Sequence, residues 1–277
     1  MSDTRPEAEA ILRRLAGAGE APLDIAAGAL ALAALDRPRV PLDRYRAHLD
    51  QLAADLRSAA EGAADLEERI AALAETIYLR HGYAGDDKTY DDLQNANLMR
   101  VIDRRKGLPV ALAILCLHAG RAAGWDMAGL GFPGHFLIRL DHEGERAILD
   151  PFHGCLRQSP GELRAMLKAM AGEDAELRPE HYAAVGDRDV LLRLQNNIKL
   201  RRLQAGEAAA ALETLEQMLI FAPDRLELWW EAAALHANQG NLRAAILAAG
   251  QVGDLAPDPE TRYRAAQLIQ RLRNRLN

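Results

Sequence analysis

The chain has 277 residues, enough for one large domain or two ordinary ones, and its 49% hydrophobic content can fill a core. Aromatic residues make up only 5% while alanine recurs throughout, which favours close-packed helices over a β-sandwich or barrel. The net charge of −6 excludes the broad basic footprint of a nucleic-acid or anionic-membrane binder.

Two short basic clusters, DRRKG at 103–107 and KLRRL at 199–203, read as solvated helix faces, so no nucleic-acid partner is expected. Two cysteines, Cys116 and Cys155, are too few for a disulfide framework. The opening MSDTRPEAEA is acidic and lacks the apolar stretch of a signal peptide, and no segment holds some 18 uninterrupted apolar residues. The expectation is a soluble, cytoplasmic protein without a membrane partner.

In chain order, the first hundred residues read as helical. Leu42, Tyr45, Leu49, Leu52 and Leu56 recur at helical spacing and form one apolar stripe. ADLEERIAALAETIYLR continues as a second helix ending near His81–Gly82. The stretch GYAGDDKTYDD then reads as a solvated polar loop; its aspartates lack the glycine and closing glutamate of a calcium-binding EF-hand loop. KGLPVALAILCLHAGRAAG reads as a helix buried on all sides, with Pro109 in its first turn and Gly124 just past its end. WDMAGLGF, HFLIRL and RAILDPF have strand character, so a small antiparallel sheet is expected at about 125–152.

From about residue 190 the sequence repeats. Gly206 and Gly240, Ala210 and Ala244, Ala211 and Ala245, Pro223 and Pro257, and Asp224 and Asp258 are each separated by 34 residues. That period is the signature of tetratricopeptide helix pairs, with Trp229 at the leading tryptophan position and Gln195 there in a degenerate first copy. PETRYRAAQLIQRLRNRL then reads as a closing helix.

The candidate chemistry lies in GFPGHFLIRL and ILDPF. If the hairpin turns on His142–Glu143, His135 faces Asp150 directly, close enough for the carboxylate to orient the imidazole. That register also sets Arg139 opposite Arg146, a repulsive pair. A turn centred on Glu143–Gly144 would instead put His135 opposite Phe152. GLGFPG at 129–134 matches G-x-G-x-x-G in form, but a strand-like run follows it rather than a helix, so no nucleotide or other cofactor is expected.

NANLMRVIDRRKGLPVALAIL, GFPGHFLIRL and ILDPFHGC, in this order, resemble the bacterial Sir B family over roughly residues 80–155. The resemblance implies a transglutaminase-like core of the cysteine-protease-like α+β class, followed by tetratricopeptide repeats. It also implies a catalytic order of Cys at a helix start, His on a strand and Asp on the next strand. His135 and Asp150 match the last two places. The first place is empty, because 107–111 read Gly-Leu-Pro-Val-Ala. Cys116 lies seven residues beyond Pro109, roughly 10 Å deeper along the helix. Cys155, five residues after Asp150 and two after His153, is the other candidate nucleophile. A metal held by His135, His153 and Cys155 fits no established zinc spacing, and none is expected.

The reading is a mostly helical α+β protein. A transglutaminase-like core over 1–180 precedes a tetratricopeptide-like segment over 185–277. His135 and Asp150 are expected as vestiges of a triad, and an unknown protein or peptide as partner of the repeat segment. The alternative is a thiol-dependent hydrolase or acyl transferase that uses Cys116 or Cys155.

Overall fold

The computed structural model describes residues 3–18 and 23–276. Two compact units emerge: residues 1–11 with 20–194, and residues 12–19 with 195–277.

The first unit is organised by two helices with no polar side. Helix α1 (Arg5–Gly17), whose residues from 12 onward belong to the second unit, precedes α2 (Ile25–Asp36), in which ten residues from Ile25 to Leu35 are buried and Asp24 caps the start by accepting from the Ala27 amide. Helix α3 (Asp43–Ala59) buries the stripe of Tyr45, Leu49, Leu52 and Leu56. Asp65 caps α4 (Leu66–Ala74), whose chain continues into a π-helical turn, Glu75–Arg80. A two-residue parallel ladder joins β1 (Ala84–Gly85) to β2 (Lys106–Gly107), with α5 (Leu98–Arg104) between them in sequence. The stretch expected as a solvated loop contains β1. It also contains Asp86, which is buried because Arg104 and the Thr89 hydroxyl bond to its carboxylate at 2.9 and 2.6 Å.

Helix α6 (Pro109–Ala122) is the second all-apolar helix, buried from Pro109 through Leu117. Proline suits the first helical position because the amide it lacks would have no partner there. α6 packs against α2, α3, β3 (Asp126–Leu130), β4 (Leu137–His142) and the turn Pro151–His153.

The sheet is antiparallel and five-stranded, in the order β6 (Leu156–Arg157), β5 (Glu145–Asp150), β4, β3, β7 (Ala184–Val185). The expected strands are β3, β4 and β5. Strands β6 and β7 leave no sequence signal, because two residues are too few to show an alternation. Helix α7 (Pro160–Ala171) starts in a capping box of Ser159 and Glu162. Its Leu163 and Leu167 form an apolar cluster with Leu130, Phe132 and Leu137.

The hairpin register corrects the expected one. His142 pairs with Glu145, Asp141 with Arg146 and Ile138 with Leu149. The turn is therefore Glu143–Gly144, at φ 51° and 87°. Two consecutive positive φ values are what a two-residue hairpin turn of matching twist demands, and glycine meets the second without strain. Charge favours the same register: Asp141 accepts from Arg146 Nε at 2.6 Å and faces Arg139 Nε at 2.5 Å, so the two arginines share a carboxylate instead of opposing each other.

The second unit is helical. α8 (Asp187–Gln204) runs across the boundary between the units, and α9 (Ala208–Phe221), α10 (Leu226–Asn238), α11 (Leu242–Leu255) and α12 (Pro259–Leu276) follow. Both ends of α11 lie 34 residues beyond those of α9. Gly206 and Gly240, at φ 77° and 79°, occupy matching inter-helix turns. Ala211 and Ala245 are fully buried, as close helix approach requires.

Gly85 offers a test of the packing around the Pro151–His153 turn. A Cβ there would lie 2.6 Å from the Phe152 carbonyl oxygen and 2.7 Å from its ring. Gly85→Ala should destabilise the protein by about 1–3 kcal/mol in chemical denaturation, the usual cost of overpacking. An unchanged midpoint would show that the turn yields freely.

Candidate functional site

Asp150 is the last residue of β5, and its carboxylate caps the turn that follows by accepting from the Phe152 amide at 2.9 Å. The Cys155 amide donates to the Asp150 carbonyl at 2.8 Å and closes the loop, through Gly154 and Cys155 at φ 74° and 60°. This compact knot holds Phe152, His153 and Cys155 around one acidic side chain.

The carboxylate is buried and uses both oxygens. His135 Nε2 donates to Oδ1 at 2.9 Å, and His153 Nδ1 donates to Oδ2 at 2.7 Å. A carboxylate only accepts, so each bond places the imidazole proton on the named nitrogen. Burial works against the Asp150 charge, but the bonds from His135 and then His153 outweigh it and hold the carboxyl below its ordinary range. The imidazoles lie nearly parallel, 6.2 Å apart and inclined by 23°. Phe152 presents itself edge-on to both.

His135 reaches Asp150 by a route other than the direct cross-strand pairing. It lies in a bend ahead of β4, not on a strand, and the ladder ends at Ile138–Leu149. The bend, tied by the His135 amide donating to the Pro133 carbonyl at 2.8 Å, turns the ring back towards the end of β5.

The cysteines form a separate cluster. Cys116 and Cys155 are both buried, with their sulfurs 3.6 Å apart. Tyr78, on the π-helical turn, places its hydroxyl 3.5 Å from each sulfur and donates to the Pro151 carbonyl at 2.6 Å. With its proton committed there, the phenol oxygen can only accept, so the two thiol protons serve two of the three contacts in this group at a time. Burial, followed by the bond to and charge of Cys116, pushes the Cys155 thiol well up from its ordinary value. Among the described residues neither sulfur has a histidine within hydrogen-bonding reach. At the start of α6, Leu108, Pro109, Val110 and Ala111 are all buried and apolar.

Sequence reasoning placed His135 with Asp150 but missed Tyr78 and the second imidazole on the carboxylate. Asp150-x-x-His153 does carry a local signal, since three residues are one tight turn. Tyr78 carries none: it stands 38 residues from Cys116 in sequence, and the π-helical turn departs from ordinary helical spacing.

The pH dependence of stability tests the carboxylate. A depressed carboxyl pKa contributes stability that is full above the unfolded value of about 3.9 and is lost as pH falls through the lower folded value. Asp150→Asn should cost about 2 kcal/mol at neutral pH, as for a hydrogen bond to a charged group. The gap from wild type should narrow in urea titrations as pH falls below about 3.9. A gap independent of pH would mean that the Asp150 charge is not what the histidines stabilise.

A sequence profile of the transglutaminase-like superfamily matches residues 43–196. The chain is similar to a UPF0162 protein of Vibrio cholerae, 35% identical over 161 residues, covering 58% of this chain and 59% of that protein. It is similar to a UPF0162 protein of Pseudomonas aeruginosa, 27% identical over 222 residues, covering 78% of this chain and 76% of the relative. F-box only protein 21 of Mus musculus is 25% identical over 177 residues, 61% of this chain but 28% of that protein. The matched region spans less than two thirds of the length of the Vibrio cholerae relative. The profile takes in α3 to α7, the whole sheet and the His135–Asp150 pair, which is more than half of the sequence, and the chain belongs to the transglutaminase-like superfamily.

Proposed function

We propose that this is a non-catalytic transglutaminase-like protein that acts in protein binding or regulation, with His135 and Asp150 retained from a triad whose nucleophile is gone. The observation that carries the reading is the start of α6. Thiol catalysis needs a sulfur at about 3 Å from its base. The first turn of α6 offers only Pro109, Val110 and Ala111, and the two free thiols lie in hydrogen-bonding contact with each other and with Tyr78. A buried thiol with a raised pKa stays protonated and does not attack.

In this reading the core, to about residue 180, and a tetratricopeptide-like segment over 185–277 are separate working parts, in the order of the bacterial Sir B family. The segment binds a protein or peptide partner. Support comes from the 34-residue offset of α9 and α11, the matching turns at Gly206 and Gly240, and Trp229, whose indole Nε1 donates to the Pro223 carbonyl at 2.8 Å.

Native-state alkylation tests the reading. Iodoacetamide should label Cys116 and Cys155 only through local opening of the structure, at rates that His135→Ala leaves unchanged. Rapid labelling of either thiol that slows in His135→Ala would reveal an activated thiolate and establish the thiol-dependent enzyme instead.

A further inference from the structure

The Asp150 carboxylate is a buried anion with no lysine or arginine bonded to it among the described residues; its side-chain partners are two imidazoles. Buried charge is costly unless it is paired. His135, Asp150 and His153 each present a donor atom, and these atoms all lie within 4.8 Å of one another. Imidazole nitrogen and carboxylate oxygen sit at about 2.0–2.2 Å from an ion of the zinc class. Donors of one tetrahedral shell are then about 3.4 Å apart, so the three atoms need to close by at most about 1.4 Å.

Three further features suit a cation. The Phe152 amide bonds to Asp150 Oδ1 and orients the carboxylate, as outer-shell donors do at metal centres. The His153 side chain is 59% exposed against 15% for His135, which leaves a solvent-facing approach and room for a water or an outside ligand. The donors are two nitrogens and a carboxylate, a set that suits first-row transition metals better than magnesium or calcium.

The other histidine cluster lacks these features. His81 bonds Asp55 at 2.7 Å, but Arg80 stands 3.4 Å from the same carboxylate and Arg105 bonds His48 at 2.6 Å, so two guanidinium groups already fill the cationic role there. The sulfur of Cys155 is also outside the set, because it is directed to Cys116 and Tyr78.

We propose that His135, Asp150 and His153 form a binding site for a divalent transition-metal cation of the zinc class. The ion takes the place of the two imidazole protons that now bridge to the carboxylate: each ring changes tautomer, with its proton moving by exchange with solvent to Nδ1 of His135 and to Nε2 of His153, and the freed lone pair binds the metal. The site needs neither a thiol nor any catalytic role for the chain, so it stands apart from the non-catalytic reading.

Titration of the full chain, stripped with chelator, tests it with Co2+ by visible absorption and with Zn2+ by calorimetry. The expected result is equimolar binding, weakened at least about tenfold in His153→Ala and in His135→Ala, and unchanged in His48→Ala. His153 is exposed, so His153→Ala leaves the core intact, and far-ultraviolet circular dichroism verifies the fold of every variant. Absence of saturable binding by the wild-type chain overturns the proposal. So does binding of wild-type strength in folded His153→Ala, which would mark a site elsewhere on the surface.

Discussion

A carboxylate withdrawn from water has to be satisfied at both oxygens, and much of the geometry around Asp150 follows from that requirement. One oxygen takes the Phe152 amide and His135, and the other takes His153. The bonds fix the turn after β5, the bend before β4 and the attitude of two imidazole rings. The same turn supplies the Pro151 carbonyl that receives the Tyr78 proton, so the acidic knot and the thiol cluster share a backbone. Gly85 lets β1 lie directly against Phe152, where a side chain would collide with it. A single buried charge thus links the sheet, the central helix α6 and the small parallel ladder.

In the function proposed above, His135 and Asp150 are two parts of a catalytic constellation and the third is missing. An imidazole oriented by a carboxylate is poised to act as a base only if something acidic lies within reach. The start of α6, where a nucleophile would gain from free amides and the positive end of the helix, is filled by Leu108, Pro109 and Val110. The sulfurs are buried, where they serve packing and weak thiol contacts with each other and with Tyr78. Membership of the superfamily therefore describes the scaffold, and the chemistry has to be read from the side chains.

Much of this was legible in the sequence. The α3 stripe from Tyr45 to Leu56, the all-apolar α6 and the three main strands follow from periodicity, which reports burial directly. The hairpin register was the instructive error. A turn at His142–Glu143 sets His135 opposite Asp150, a pairing that favours that register on spacing alone. The clash of Arg139 with Arg146 was the physical clue, and the turn at Glu143–Gly144 removes it by giving both arginines Asp141. His135 and Asp150 still meet, because the bend at Pro133–Gly134 breaks the alternation that strand counting assumes. The role of Tyr78 was out of reach, since a π-helical turn leaves no mark on composition or spacing.

Asp150 holds both imidazoles at once, through different nitrogens. Long-range proton–nitrogen correlation NMR of the metal-free protein reads this directly. Two pinned and opposite tautomers are expected at neutral imidazole: a proton on Nε2 of His135 and on Nδ1 of His153. Nε2–H on both rings, or the averaged signals of freely exchanging imidazoles, would contradict it.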